Sequence, residues 1–248
     1  MSGILLTPDW PGLPAGVQAR FSTRIGGVSR APYGQLNLGD HVGDDPAAVA
    51  ENRRRLLAEA GLPASPPWLR QVHGQQVVQL HPDTAGGLVA DACWTEAVGL
   101  PCAVLTADCL PVLFASADGR YVAAAHAGWR GLAEGVLEAT VRALPVPPAS
   151  LRAWLGPAIG PAAFQVGEEV RAAFLAEAAD DAGHFRVDGE RWRADLFGLA
   201  RARLRRLGLA EVSGGGLCTY SDRARFYSHR RDGVCGRMAC LIWKASGV

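Results

Sequence analysis

Three short segments pair metal-ligating or proton-transferring side chains with small neighbours: Arg70-Gln71-Val72-His73-Gly74, Thr106-Ala107-Asp108-Cys109-Leu110-Pro111 and Ala125-His126-Ala127-Gly128-Trp129-Arg130-Gly131. Each lies at the end of an apolar run, and strand ends are where folds commonly build sites. Zinc accepts thiolate and imidazole together, and three protein donors with a fourth position left to water mark a catalytic rather than a structural site. His73, Cys109 and His126 are therefore expected to hold one zinc ion per chain, an ion that lowers the pKa of a bound water to about 7. Copper(II) binds the same donors and is the alternative in vitro. Taken singly, a histidine beside apolar sequence is more often a satisfied core residue and a cysteine an inert one. Similar surroundings at all three positions favour the shared site. Asp108 and Asp91 lie at comparable strand ends and are candidates for a general base or for orienting a ligand, against the alternative of a turn or cap carboxylate.

Arginine supplies the planar fork that clamps phosphate or carboxylate. Arg24 in Phe21-Ser22-Thr23-Arg24-Ile25-Gly26-Gly27, Arg130 after His126, and the pair Arg230-Arg231 before Asp232-Gly233 fall in glycine-rich or turn-like contexts. There the backbone N–H groups can also approach an anion. Any one of them alone reads as a surface arginine.

These side chains need elements to carry them. Apolar runs bounded by Gly, Pro and Asp predict strands over 68–72, 76–80, 102–106, 111–114, 121–125, 151–155 and 238–243. Asp45 followed by Pro46 is an N-cap and first-turn signal for a helix running to Ala60 and stopping at Gly61. A second helix is expected over 131–144, with Leu132, Val136, Leu137, Thr140, Val141 and Leu144 on one face. Others are expected over 167–179 and 195–207. The arginines of the last (Arg201, Arg203, Arg205, Arg206) read as a solvated face without function. Strands come in succession while helices are scattered, so the expected architecture is one α/β domain spanning residues 1–248, with a mixed central sheet.

Composition removes several classes. The 248 residues are 49% hydrophobic, ample for a core, and 25 Lys plus Arg against 24 Asp plus Glu leave a charge of +1. That balance gives no electrostatic footprint for nucleic acid or an anionic membrane. No apolar run reaches the about 20 residues a membrane helix needs, and residues 1–10 lack the pattern of a signal peptide, so a cytoplasmic protein is expected. No obligate protein partner is indicated. The six cysteines contain no C-x-x-C pair, and the chain carries neither G-x-G-x-x-G after a strand nor a P-loop.

In order along the chain, FSTRIGGVS, LNLGDHVGDD with ENR, RQVHG, DACWT, TADCLPVL, AAAHAGWRGL, GPAIGP with FQVGEEV, and FYSHRRDGVCGRMACLIW resemble the YfiH/YlmD-like family. That family is also labelled a laccase-domain or polyphenol oxidase family, and is now treated as purine nucleoside phosphorylases with adenosine deaminase activity. The resemblance covers nearly the whole chain. It implies a three-layer α/β sandwich and zinc on His73, Cys109 and His126. It also implies phosphorolysis of adenosine, inosine, guanosine and methylthioadenosine, with purine nucleosides and phosphate as partners. On that basis Asn37, Gln71 and Asp91 are candidates for hydrogen bonds to substrate and Arg24, Arg130 and Arg230 for phosphate, while Cys109, His126 and Asp108 are the candidate catalytic residues. His229, Cys235 and Met238 depart from the family's usual tyrosine, threonine and glutamine, which touches pocket detail rather than the metal donors. Two other chemistries follow from the same resemblance. Cys109 as nucleophile with His126 as base would suit amide hydrolysis in misassembled peptidoglycan precursors. A phenol-oxidising copper enzyme is disfavoured, because six histidines without paired H-x-H ligands do not build a trinuclear copper cluster.

Overall fold

Of the chain, the computed structural model describes residues 3–62, 64–209 and 211–245. The first two and last three residues of the expected 1–248 domain thus lie outside the described residues. Thirteen strands are described: β1 (Leu5–Leu6), β2 (Val17–Ser22), β3 (Val77–Gln79), β4 (Ala92–Thr95), β5 (Cys102–Thr106), β6 (Leu110–Ser116), β7 (Val122–Ala127), β8 (Leu151–Leu155), β9 (Gln165–Val166), β10 (Phe185–Asp188), β11 (Arg191–Ala194), β12 (Glu211–Gly214) and β13 (Met238–Lys244). The α-helices are α1 (Pro46–Ala60), α2 (Trp129–Glu134), α3 (Val136–Ala143), α4 (Glu168–Glu177), α5 (Leu196–Arg206) and α6 (His229–Asp232).

The strands form a six-stranded sheet in the order β12-β8-β6-β7-β4-β3, a four-stranded sheet β1-β2-β13-β5 and a small sheet β10-β11-β9. The six-stranded sheet is mixed: β12 with β8 and β3 with β4 are parallel, the other pairs antiparallel. It is the central layer. Alternation along β6 and β7 turns Val112, Phe114, Ala123 and Ala125 to a core shared with α2, α3 and α5. The intervening Leu113, Ala115, Val122 and Ala124 turn to a core shared with the four-stranded sheet. Both faces being covered, β6 and β7 are buried at every position. Such strands read as unbroken apolar runs rather than alternating ones. Helix α1 packs Leu56 with Leu36, Leu105 and Trp243 on the far side of the four-stranded sheet.

The α/β layering and mixed central sheet match the sequence expectation; the second sheet is an added layer. Three local differences have physical causes. Residues 68–72 do not form a strand, only an isolated bridge between Arg70 and Val89, because the N–H groups of Val72, His73 and Gly74 all go to the Asp91 carboxylate instead of a neighbouring strand. The expected helix over 131–144 is two helices, broken at Gly135, whose φ of 99° is left-handed and open to glycine at little cost. The arginine face of α5 is not simply solvated. Arg203 is buried and bonds Glu138 Oε1 at 2.8 Å and the Ala133 carbonyl at 3.2 Å. Arg206 pairs with the buried Asp181.

Candidate metal centre

The chain passes from the four-stranded to the six-stranded sheet through residues 107–109, between the end of β5 and the start of β6. Cys109 therefore sits on the seam between the layers. His126 lies opposite Pro111 near the end of β7, and strand alternation points its ring to the same side as Val122 and Ala124, toward that seam. The third donor arrives from the loop before β3. One ligand atom from each of His73, Cys109 and His126 lies within 4.8 Å of the others, the one such group of His, Cys, Asp or Glu side chains among the described residues.

The geometry fits a metal ion. Cys109 Sγ is 3.9 Å from His73 Nε2, close to the about 3.5 Å that separates sulfur and nitrogen on a tetrahedral zinc. The rings of His73 and His126 stand edge to face, centroids 4.8 Å apart. His126 is buried, Cys109 half-buried and His73 exposed, so the group is closed on the core side and open on the other. Gly128 makes room for it: a Cβ there would fall 2.9 Å from His73 Cδ2 and 3.0 Å from Cys109 Sγ.

Asp91, fully buried at the start of β4, organises two of the three donors. One oxygen accepts the His73 N–H at 2.9 Å and faces His126 Nδ1 at 2.8 Å; the other accepts from Val72 and Gly74 at 3.1 and 2.8 Å. A carboxylate acceptor on Nδ1 fixes that proton and leaves Nε2 as the ligating nitrogen. The same bonds hold His73 at a φ of 61°, a left-handed conformation that costs a non-glycine residue about 1–3 kcal/mol. Burial opposes the charge on Asp91, but its bonds from His126, Gly74 and Val72 win and its pKa is lowered. Burial likewise raises the Cys109 thiol, yet the neighbouring imidazoles of His126 and His73 outweigh it and bring the pKa to about 6. Burial pulls His126 down, while the Cys109 thiolate and Asp91 more than offset it and raise it to about 9. Both shifts favour a thiolate on Cys109 beside an imidazolium on His126 near neutral pH.

The other candidates from sequence are placed differently. Asp108, at φ 86°, directs both carboxylate oxygens to Thr219, Ser228 and the Arg230 N–H. Arg130 is exposed at the first turn of α2, stacked on the Trp129 ring at 4.4 Å, its guanidinium without a hydrogen-bond or ion-pair partner among the described residues. Arg230 is tied to the Gln165 carbonyl at 2.8 Å by Nη1 alone. Arg24 is bound more tightly, to the carbonyls of Gly34 and Arg223 and over the Tyr227 ring. Arg231 is turned inward to the carbonyls of Thr219, Tyr220 and Phe226 and to Asp232. The Asn37 amide is spent on Gly39, Asp44 and the Arg237 N–H, and that of Gln71 on both backbone groups of Leu105. Asp91 has its acceptors filled as described above. Thr219 and Ser228, which hold the Asp108 carboxylate, carry no local signal in the sequence. The close approach of Gly128 is foreshadowed only by a glycine two residues past a histidine at a strand end.

A layered α/β fold whose inter-sheet seam ends in a His/Cys/His group with an aspartate behind it defines a candidate metal-site protein. The chain belongs to the family described as multi-copper polyphenol oxidoreductase laccase, whose sequence profile matches residues 18–245. It is the family of the YfiH and YlmD proteins. A Pseudomonas aeruginosa protein named as a purine nucleoside phosphorylase is 56% identical over 240 residues, covering 96% of this chain and 97% of its own length. The Escherichia coli purine nucleoside phosphorylase YfiH is 52% identical, with 96% and 98% covered. Among solved structures, a Neisseria meningitidis protein superposes with a TM-score of 0.94 at 47% identity, covering 98% of this chain and 100% of its own. YlmD from Geobacillus stearothermophilus gives 0.88 at 30%, covering 98% and 96%. No helix among the described residues is long and apolar enough to cross a membrane.

Proposed function

We propose that the protein is a zinc-dependent purine nucleoside phosphorylase that also deaminates adenosine, acting in the cytoplasm on free nucleosides and phosphate. The observation that carries the reading is the convergence of His73, Cys109 and His126 within 4.8 Å with Asp91 locked to His126 at 2.8 Å; the names of relatives about half identical support it. His73 Nε2, Cys109 Sγ and His126 Nε2 would hold the ion, which when bound supplies Lewis-acid chemistry on the open side of the group. The chain's own groups do the rest. Asp91 keeps His126 in its ligating tautomer. Arg130 and Arg230, whose forks keep donors free among the described residues, hold phosphate. In phosphorolysis a phosphate oxygen bonds C1′ of the ribose as the C1′–N9 bond breaks, and the phosphate's proton leaves with the purine. In deamination water adds at C6 of adenine and ammonia departs.

Hypoxanthine release from inosine, measured with and without phosphate for the wild type and Cys109→Ala, tests the scheme. Phosphate-dependent release by the wild type and none by the variant is expected. Release that ignores phosphate or survives the substitution would refute it.

One feature favours a second reading. Cys109, His126 and Asp91 in sequence form a thiolate, imidazolium and carboxylate relay suited to amide hydrolysis. In that scheme the sulfur bonds the carbonyl carbon as the C–N bond breaks, His126 gives its proton to the departing amine, and water then cleaves the thioester to release the acid and restore the thiol. Alkylation of Cys109 by iodoacetamide in metal-replete protein supports this reading; protection by the metal supports the first.

A further inference from the structure

The carboxylate of Asp108 lies one residue from a candidate metal donor, yet it faces the other way. Oδ1 accepts the Thr219 hydroxyl at 2.6 Å, and Oδ2 accepts the Ser228 hydroxyl at 3.0 Å and the Arg230 N–H at 2.7 Å. Thr219 and Ser228 are fully buried, so these bonds are shielded from water and charge-assisted. All three donors lie at least 111 positions further along the chain. The main chain of Asp108 is itself left-handed, φ 86°, and its carbonyl takes the Ile159 N–H at 2.9 Å. The side chain clamps the turn that presents Cys109 to the segment that presents Arg230, while the backbone ties that turn to the loop after β8. The far end of Arg230 is fixed as well, by Gln165 and by the Phe164 ring 5.5 Å away, and its Nε and Nη2 have no hydrogen-bond partner among the described residues.

We infer that Asp108 is a positioning residue for the anion subsite: its carboxylate sets Arg230 at a fixed reach from Cys109 and transfers no proton. The inference rests on the reading of Arg230 as a phosphate ligand. It separates two substitutions that a proton-transferring role would not. In Asp108→Asn the amide oxygen still accepts from Ser228 and the Arg230 N–H, the NH2 donates to a Thr219 hydroxyl turned to accept, and asparagine tolerates positive φ. Asp108→Ala loses every bond, and Thr219→Val removes one without touching the strained turn.

The test uses the full chain loaded with zinc. It measures the affinity for inorganic phosphate, kcat and KM for phosphate with inosine, zinc content, and amide hydrogen exchange over residues 219–232. With Asp108→Asn, kcat, phosphate affinity and exchange are expected to stay within about threefold of wild type. Asp108→Ala and Thr219→Val are expected to weaken phosphate binding and raise its KM about tenfold or more, with faster exchange and unchanged zinc content. Loss of kcat in Asp108→Asn as complete as in Asp108→Ala would overturn the inference in favour of proton transfer. Wild-type phosphate binding and exchange in Asp108→Ala would overturn it outright. A wild type that binds no phosphate fails the functional reading instead, and overturns the anion-subsite role with it, whatever the exchange shows.

Discussion

Asp91 shows how much of this site rests on one side chain that ligates nothing. Two of the candidate metal donors reach it from segments over fifty residues apart, His73 through its backbone and His126 through its ring. In Asp91→Asn the new NH2 must face either Val72 and Gly74 or His73 and His126, all of them donors. Metal affinity is expected to fall about 10–100-fold, as read by competition with a chromophoric chelator; an unchanged affinity would contradict the role. The pKa values set the pH response. A raised pKa of about 9 on His126 means that below it a proton occupies the ring, while Cys109, at about 6, is already thiolate above that value. Between the two, each ion bound displaces one proton from His126, so affinity should rise about tenfold per pH unit and level off above the upper value. Potentiometry during a zinc titration at pH 7.5 checks it: release of about one proton from this pair is expected. The candidate donors were legible in sequence because thiolate and imidazole are metal-ligating types. That Asp91 could orient a ligand was also legible, but which donors it serves was not, since four hydrogen bonds from two distant segments leave no spacing to read.

At the scale of elements, what sequence discloses is what is local. The bounds of α1 follow from Asp45, whose side chain caps Ala47, from Pro46 at the first turn and from left-handed Gly61 at the end, all signals within a turn of the helix. The break between α2 and α3 also has a local sign, Gly135, but the apolar stripe runs through it and hides it. The arginines of α5 carry no sign at all, because whether Arg203 meets water depends on Glu138, 65 positions away. Arg203→Ala would leave Glu138 facing a cavity beside Phe174. A loss of about 3 kcal/mol is expected, at the low end for a buried pair because Glu138 keeps some contact with water. Urea denaturation measures it, and a change below about 1 kcal/mol, the level of a surface pair, would contradict the buried pairing.

For the whole molecule, the two-sheet construction explains where the site is and why its surroundings were opaque. β13 joins β2 and β5 across most of the chain length, and fully buried β6 and β7 offer no alternation to assign faces. The donors at 73, 109 and 126 thus meet only in the folded state, on the seam of the layers. An ion bound there stabilises the native state alone. At a free concentration about 1,000 times the dissociation constant it adds about 4 kcal/mol, so chelation should lower Tm by about 8–16 °C for a chain of this size. Cys109→Ala should lack that response, with calorimetry as the check.

Whether the His73, Cys109 and His126 group is the proposed metal-dependent phosphorolysis centre can be decided by one titration. Apoprotein is supplied with zinc in increments, and hypoxanthine and ribose 1-phosphate are measured from inosine and phosphate at each step. Both products are expected to form in equal amounts and to rise linearly to a plateau at one ion per chain. Full turnover by apoprotein, or hypoxanthine without ribose 1-phosphate, would contradict it.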